Sequence, residues 1–381
     1  MSNKIYEIEY DEVIKMPEEQ YVLVDMRSEA SVNYGMIPKA VNISECELFK
    51  RADELPKDKK IILYCARGIY SVEYAKRLCE MGFEAYSLKG GYNGWLLRVI
   101  NESDEKADRK RDIEYSLQKK FRKDIFSKFA KAIKEYELLK ENDKVAVCIS
   151  GGKDSMLMAK LFQEIKRHNK FPFELVFLVM DPGYSDANRR VIEHNAEIMG
   201  IPITVFESEI FEAVYNVEKN PCYLCARMRR GYLYSKAKEL GCNKIALGHH
   251  YDDVIETILM GMLYGGQVQT MMPKLHSTNF EGMELIRPMY LIREEDIKSW
   301  RDHNNLRFIQ CACKFTDTCT SCRADGREVS KRMEIKKLIA EMKKINPFVE
   351  GNIYKSVENV NLKTIIAYKE NGVKHHFLDE Y

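Results

Sequence analysis

The chain contains no run of 18 apolar residues, and its opening, Met1-Ser-Asn-Lys-Ile-Tyr6, has no apolar core of the kind an export signal requires. The expectation is therefore a cytoplasmic protein with no membrane span and no membrane partner. Net charge is nearly absent too: 60 lysines and arginines stand against 58 aspartates and glutamates, a formal +2 over 381 residues. Any affinity for nucleic acid has to come from local basic patches and not from the field of the whole chain. A Walker A loop is missing as well, since nowhere do four residues separate a glycine from a Gly-Lys pair. Cysteine is what the chain has in plenty. Eleven of them in a protein with no export signal are poor candidates for structural disulfides, so metal binding or thiol chemistry is the better reading of any cluster. The length suggests two or three domains, and 45% hydrophobic residues supply their cores.

Residues 145–155 read Val-Ala-Val-Cys-Ile-Ser-Gly-Gly-Lys-Asp-Ser. A short β-type run stops at Ser150, breaks into Gly151, Gly152, Lys153, Asp154 and Ser155, and hands over to a helical pattern. Two glycines let backbone N–H groups turn toward an anion, and the following helix points the positive end of its dipole into the same place. The bland alternative is an ordinary glycine turn; the full six-residue string after a buried strand argues for a phosphate cradle. The string resembles the PP-loop of ATP pyrophosphatases, enzymes that split ATP between its α- and β-phosphates and use the AMP half to activate a carbonyl oxygen. Phe173–Met180, ending in Asp181-Pro-Gly183, and the runs Ile203–Phe206 and Lys244–Leu247 read as further strands with helices between them. Ligands in such sheets gather at the carboxyl ends of the strands, where Ser150, Asp181 and Gly248 fall. His249 comes next. Asp252 and Asp253 then add two adjacent carboxylates suited to Mg2+, which takes oxygen ligands; capping of the following helix is the other role for such a pair.

Residues 1–98 read as a separate α/β unit. Tyr21–Asp25 and Lys60–Tyr64 are buried-strand runs, and Ser71 to Met81 has helical spacing with Gly82 as its stop. Cys65 stands directly after the second run, in a loop that opens a helix, where helix-end amides and Arg67 favour the reactive thiolate. Cys46 and Cys79 are expected to be packing residues, as are Cys148 and Cys242. The unit resembles a rhodanese domain through Asp25-Met-Arg27, Gly35-Met-Ile-Pro38 with Ala40 and Asn42, the Cys65 loop, and Gly90-Gly91 with Trp95. The resemblance implies a persulfide on Cys65, its terminal sulfur held by loop amides. Tyr70 departs from it, standing where rhodaneses often carry arginine.

From 99 to 141 the composition changes. Asn101 to Asp108 is acidic and weakly apolar, a plausible linker, and basic residues then accumulate from Arg109 through Lys134, while Phe121, Ile125, Phe129 and Ile133 recur every fourth residue. The lysines and arginines lie on the outer face, as a solvated surface or as a contact for nucleic acid. Pro221-Cys222-Tyr-Leu-Cys225 begins a basic helix; Cys311-Ala-Cys313 and Cys319-Thr-Ser-Cys322 come much later. Two separated groups of cysteines can close one metal site, although a single Cys-x-x-Cys pair is shared by zinc, iron–sulfur and redox sites.

Residues 113–311 resemble the tRNA 2-thiocytidine synthetase family nearly end to end. The match runs through Leu117-Gln-Lys, the Ser150–Ser155 loop, Cys222-x-x-Cys225-x-Arg-x-Arg-Arg-Gly, Ala246-Leu-Gly-His-His-x-Asp-Asp, Met262-x-Tyr264-Gly-Gly266, Pro273-Lys274-Leu and Ile286-Arg-Pro288. The resemblance implies a [4Fe-4S] cluster on Cys222, Cys225 and Cys311, with one iron left open to hold sulfide. Cys313 competes with Cys311, because the family usually shows Cys-x-x-Cys where this chain has Cys-x-Cys. A zinc site on Cys311, Cys313, Cys319 and Cys322 is the alternative use of the late cysteines.

The expected fold is α/β with two parallel-sheet domains, one rhodanese-like and one of the PP-loop, adenine nucleotide alpha hydrolase type. The expected boundaries are 1–100 for the sulfur carrier, 101–141 for a linker and basic segment, 142–323 for the PP-loop domain with its cysteines, and 324–381 for an extension without an assigned role. The expected activity is ATP-dependent tRNA thiolation: ATP and Mg2+ on the 150–155 loop, adenylation of a cytidine C2 carbonyl with Lys153, Asp154, Asp252 and Asp253 in the catalytic set, and sulfur from Cys65. Ser150, Gly151, Gly152, Ser155, Asp181, Gly248 and His249 complete the nucleotide site. The expected partners are tRNA and a cysteine desulfurase or another sulfur donor, with a homodimer allowed for. A 4-thiouridine or lysidine synthetase, or a non-catalytic tRNA- or metal-binding module, are the alternatives.

Overall fold

The computed structural model describes residues 6–32, 35–101, 106–168, 171–208, 210, 221–309, 331–370 and 372–380. The chain forms two compact units, one of residues 1–250 with 273–328 and one of 251–272 with 329–381. Within the first unit lie two sheets. The N-terminal sheet uses β1 (Glu7–Ile8), β2 (Tyr21–Asp25), β3 (Val41–Asn42), β4 (Lys60–Tyr64) and β5 (Glu84–Leu88) in the order β1-β5-β4-β2-β3, every pair parallel. Strand β4 is central and buried along most of its length, as a continuous apolar run in a parallel sheet should be. The Tyr70–Glu80 helix follows it and ends near Gly82, whose φ of 90° is a left-handed value that a side chain would resist.

The second sheet uses β6 (Lys144–Ile149), β7 (Glu174–Asp181), β8 (Ile203–Glu207), β9 (Lys244–Ala246), β10 (Lys274–His276) and β11 (Glu284–Ile286) in the order β10-β11-β9-β6-β7-β8. Only the β10–β11 pair is antiparallel. Alternation sorts β6 between two cores: Val145, Val147 and Ile149 join one buried cluster, Ala146 and Cys148 the other. The chain leaves β6 for β7 on one side and returns to β9 on the other. The end of β6 is thus the switch point of the sheet, where the strands splay and leave a crevice.

The two sheets do not have separate cores. The Gly91–Asn101 helix packs on the Asp186–Met199 helix of the second sheet, and Tyr92, Trp95 and Leu96 belong to the same buried cluster as Val191, Ile192 and Met199. The Lys106–Gln118 helix packs on Asp186–Met199 as well. Behind it come a π-helical turn, Arg122–Phe126, and the Ser127–Glu135 helix; Phe121, Ile125 and Phe129 are buried. The cysteine expectations divide. Cys148 and Cys242 are buried and Cys79 partly so, whereas Cys46, expected to pack, is exposed.

A buried ion cluster fastens the Lys106–Gln118 helix to the Lys153–His168 helix. Lys160, with no exposed side-chain surface, donates to Glu114 at 2.6 Å and to the Met199 carbonyl at 2.7 Å, while Arg167 donates to the other Glu114 oxygen at 2.8 Å. Burial would raise the Glu114 carboxyl, but hydrogen bonds from Arg167 and Lys160 and the charges of both outweigh it and hold its pKa at about 2. Since the unfolded value is about 4.3, this stabilisation is present above that pH and is lost as pH falls toward the folded value. Glu114→Gln is expected to cost about 2 kcal/mol at neutral pH, less than the roughly 3–5 of a fully buried pair because Arg167 reaches water. In urea melts the gap between variant and wild type should close as the pH is lowered from about 4.3 toward 2. A gap constant across that window would remove Glu114 as its source.

The second unit is built on the Tyr251–Gly265, Lys331–Ile345 and Val349–Ser356 helices, which bury Ile255, Ile335 and Ile339 together, and a hairpin of β12 (Ala367–Glu370) and β13 (Val373–His376). Phe348 is 74% exposed and Ile353 packs in that small core. No helix among the described residues is long and apolar enough to cross a membrane.

Candidate functional site

The loop after β6 is shaped by what glycine alone permits. Gly151 has φ 82°, and a Cβ there would lie 2.5 Å from Ile192 Cγ1 and 2.7 Å from Ile309 Cδ1. Both the backbone angle and the space exclude a side chain. Ser155 then closes the loop: its Oγ accepts from the Ser150 N–H at 3.1 Å, lies 3.2 Å from Ser150 Oγ and donates to the Gly152 carbonyl at 3.0 Å. The Lys153–His168 helix starts here, so its first N–H groups and its dipole face the crevice. Gly248, just past β9, brings its backbone against the same turn; a Cβ would stand 3.2 Å from the Ser155 nitrogen.

Lys153 is 1% exposed, its ammonium 3.0 Å from Asp154 Oδ2 and 3.4 Å from Glu294 Oε1. Glu294 opens the Glu294–His303 helix and also meets Lys298 at 3.2 Å. Nothing local in the sequence marks Glu294, because its partner is far away in the chain. The other Asp154 oxygen, Oδ1, is buried and accepts no hydrogen bond among the described residues; His250 Nε2 stands 3.9 Å off. A buried carboxylate oxygen with capacity to spare, beside a row of anion-seeking amides, suits a cation carried in with a phosphate.

The other predicted residues take more varied places. Asp181 spends its carboxylate on its own turn: Oδ1 accepts from the Gly183 and Tyr184 N–H groups at 2.8 and 2.6 Å, and Oδ2 from Arg189 at 2.8 Å. Burial would raise its pKa, but these hydrogen bonds bring it below the usual aspartate value. Asp252 and Asp253 lie in the first turn of the Tyr251–Gly265 helix, in the second unit, where Asp253 accepts from Arg332 at 2.6 Å. Cys222 and Cys225 fall in the first turn of the Pro221–Glu239 helix, three residues apart and so on one face; their side chains lie outside the described residues, as do Cys311, Cys313, Cys319 and Cys322. Among the described residues no three His, Cys, Asp or Glu side chains are grouped to hold a metal ion.

A second anion cradle surrounds Cys65. Its Sγ accepts from the Gly68 N–H at 3.2 Å and from Ser71 Oγ at 3.6 Å, at the start of the Tyr70–Glu80 helix. The loop is braced from behind, Tyr92 N–H donating to the Cys65 carbonyl and Asn93 N–H to that of Ala66. Gly91 makes the bracing possible: a Cβ there would sit 2.4 Å from the Cys65 oxygen. The Arg27 guanidinium donates to both Asp25 carboxylate oxygens, and Asn42 donates to both residues' carbonyls, which fixes the chain beside the loop. By contrast, burial pushes the Cys148 thiol up to about 12 and leaves it inert at neutral pH.

Comparison with known proteins gives two family matches, the PP-loop domain over residues 121–317 and the rhodanese-like domain over residues 9–98. The tRNA-cytidine(32) 2-sulfurtransferase of Anaeromyxobacter dehalogenans (strain 2CP-C) is 32% identical over 234 residues, 61% of this chain and 77% of that protein. The protein of the same name from Alcanivorax borkumensis is 34% identical over 261 residues, 68% of this chain and 87% of the other. Among solved structures, the U34-tRNA thiolase NcsA from Methanococcus maripaludis with its [4Fe-4S] cluster matches 62% of this chain and 79% of its own, at 24% identity and a TM-score of 0.48.

Proposed function

We propose, on the premise that this chain belongs to the tRNA-cytidine(32) 2-sulfurtransferase family of PP-loop proteins, that it is a cytoplasmic enzyme that replaces the C2 oxygen of an anticodon-loop cytidine in tRNA with sulfur, drawn from a persulfide on its own Cys65. The observation that carries this reading is the Ser150–Ser155 loop at the switch point of the second sheet, with Lys153 buried behind it and Asp154 Oδ1 unspent. ATP phosphates take the loop amides and the Lys153 ammonium, and Asp154 Oδ1 offers a ligand to Mg2+. The cytidine C2 oxygen attacks the α-phosphorus and pyrophosphate leaves. A sulfur nucleophile then adds at C2, and the C2–O bond breaks with AMP departing. The first step is mainly positioning and charge neutralisation, so Lys153 and its anchor Glu294 count for more there than any proton-transfer group.

The cysteines fit an iron–sulfur cluster in their chemistry. Cys222 and Cys225 share one helix face at a helix N-terminus, which favours thiolates, and Cys311 is the third ligand. Held by these cysteines, such a cluster would supply a thiophilic metal site able to bind sulfide. The Cys65 loop presents the Gly68 N–H and Ser71 hydroxyl to a persulfide anion. Persulfide sulfur is two electrons more oxidised than hydrosulfide, so delivery as hydrosulfide consumes a thiol reductant, and a desulfurase or another sulfane donor reloads Cys65.

Mass spectrometry of tRNA nucleosides from cells with the gene, without it, and with Cys65→Ser tests this reading. 2-Thiocytidine should vanish without the gene and fall strongly with Cys65→Ser, and purified Cys65→Ser protein should regain thiolation when free sulfide is supplied. If sulfide cannot rescue the variant, Cys65 takes part in the modification step itself and is not only a carrier. If 2-thiocytidine persists without the gene, the activity is wrong.

A further inference from the structure

One face of the first unit carries a run of cations with no acid paired to them among the described residues. Several basic residues elsewhere in that unit are ion-paired, Lys128 to Asp296, Lys131 to Glu135, Lys144 to Glu174, and Arg167 to Glu114 and Glu164, while others stand exposed without an acid, among them Lys110, Arg111 and Lys134. Lys119, Lys120, Arg122 and Lys123 are all exposed, and among the described residues none has a carboxylate within ion-pair distance. In a chain whose net charge is only +2, four such cations within five residues are a local concentration and not a share of a general excess.

Two of them, Lys119 and Lys120, line a cleft of about 570 Å³ between the Lys106–Gln118 helix and the end of the Glu294–His303 helix, with Arg109, Tyr115 and His303 beside them and Asp112 as its one acid. The cleft is organised. Arg109 donates to the Asn304 carbonyl at 2.8 Å, and Lys120 Nζ lies 3.1 Å from His303 Nδ1. Tyr115 is 61% exposed with the Lys119 ammonium 6.0 Å from its ring centre, an aromatic surface with a cation at its edge. Cations spaced along a groove with an exposed aromatic among them fit a nucleic-acid backbone with an unstacked base better than they fit a small anion.

We infer that this face, Arg109 and Tyr115 through Lys123 with His303, docks the phosphodiester backbone of the RNA substrate. The inference rests on the tRNA reading above. The Glu294–His303 helix ties the face to the chemistry: Glu294 at one end holds Lys153, and His303 at the other lines the cleft. Nine residues of helix separate them by about 14 Å, so backbone held at the cleft fixes where the rest of a bound loop falls relative to the Ser150–Ser155 turn.

The test is fluorescence anisotropy of an unmodified tRNA transcript binding to full-length Lys119→Gln/Lys120→Gln/Lys123→Gln protein, between about 50 and 200 mM KCl. Each phosphate contact contributes roughly 0.7–0.9 to the slope of log K against log salt. The triple variant should therefore bind at least about tenfold more weakly and lose about two units of slope, and Tyr115→Ala should weaken binding several-fold at unchanged slope. ATP binding should not change, because none of these residues touches the Ser150–Ser155 loop. Should the triple variant fold poorly, Lys120→Gln alone should still remove about 0.8 of slope. Wild-type affinity and slope in the variants would overturn the inference and leave the tRNA reading standing. So would unchanged RNA binding with slower sulfur loading from a desulfurase, which would give the face to a protein donor. A wild-type protein that binds no tRNA would remove the tRNA reading itself.

Discussion

Lys153→Ala and Asp154→Asn should each lower tRNA-dependent pyrophosphate release by at least about 100-fold, the scale of losing one preorganised charge-stabilising group. Both should leave Cys65 able to accept sulfur from thiosulfate. The argument is geometric. Lys153 is buried and held between Asp154 and Glu294, so its ammonium is aimed before ATP arrives and no water can stand in for it once it is removed. Asp154→Asn keeps the shape and removes the negative charge that Oδ1 offers to a cation, which separates charge from packing. Cys65 sits on the other sheet, in a loop braced by Tyr92 and Asn93 and independent of the first cradle. Pyrophosphate release and persulfide formation, measured on one preparation with native near-ultraviolet dichroism, decide the matter. Loss of both activities in a folded Asp154 variant would contradict two independent sites.

Changing Cys222, Cys225 or Cys311 to alanine should remove bound iron and all tRNA thiolation, whereas Cys319→Ala and Cys322→Ala should retain both. Protein assembled without oxygen should carry about four irons, since three thiolates and one exchangeable ligand hold a cubane cluster. The effect should be near total, because two thiolates are too few to hold a cubane cluster. Metal analysis provides a readout apart from turnover. Stoichiometric zinc with no iron, together with thiolation indifferent to Cys222→Ala, would favour the alternative site on the four late cysteines; loss in Cys313→Ala with retention in Cys311→Ala would exchange only the third ligand.

Much of the fold was legible because parallel strands buried on both faces are written as unbroken apolar runs, and β2, β4, β6 and β7 lie where those runs are. The short edge strand β10 and its neighbour β11 were not, since Lys274–His276 and Glu284–Ile286 carry charges and take their place from neighbours in the sheet. Both cradles could be read from glycines next to a lysine or a cysteine. Glu294, Ile192 and Ile309 could not, because they reach the loop from other elements and nothing near them in the sequence says so. Asp181 was found by position, but its turn takes up both carboxylate oxygens. The break in composition near 101–108 suggested a plain linker. The packing of Gly91–Asn101 and Lys106–Gln118 on one helix could not be seen there, because it depends on which faces meet.

That shared packing has a consequence for how the protein can be taken apart. The Asp186–Met199 helix, which carries Val191, Ile192 and Met199, is packed by the helix that follows the rhodanese-like sheet, and Tyr92, Trp95 and Leu96 share its buried cluster. Cutting the chain near residue 100 would strip apolar cover from both pieces at once, leaving each with a sticky face in place of a finished surface. The N-terminal sheet is therefore not a cassette that can be exchanged for another sulfur carrier. A chimera would have to recreate the face that Tyr92, Trp95 and Leu96 present, or the shortened enzyme would melt earlier and aggregate before its chemistry could be judged.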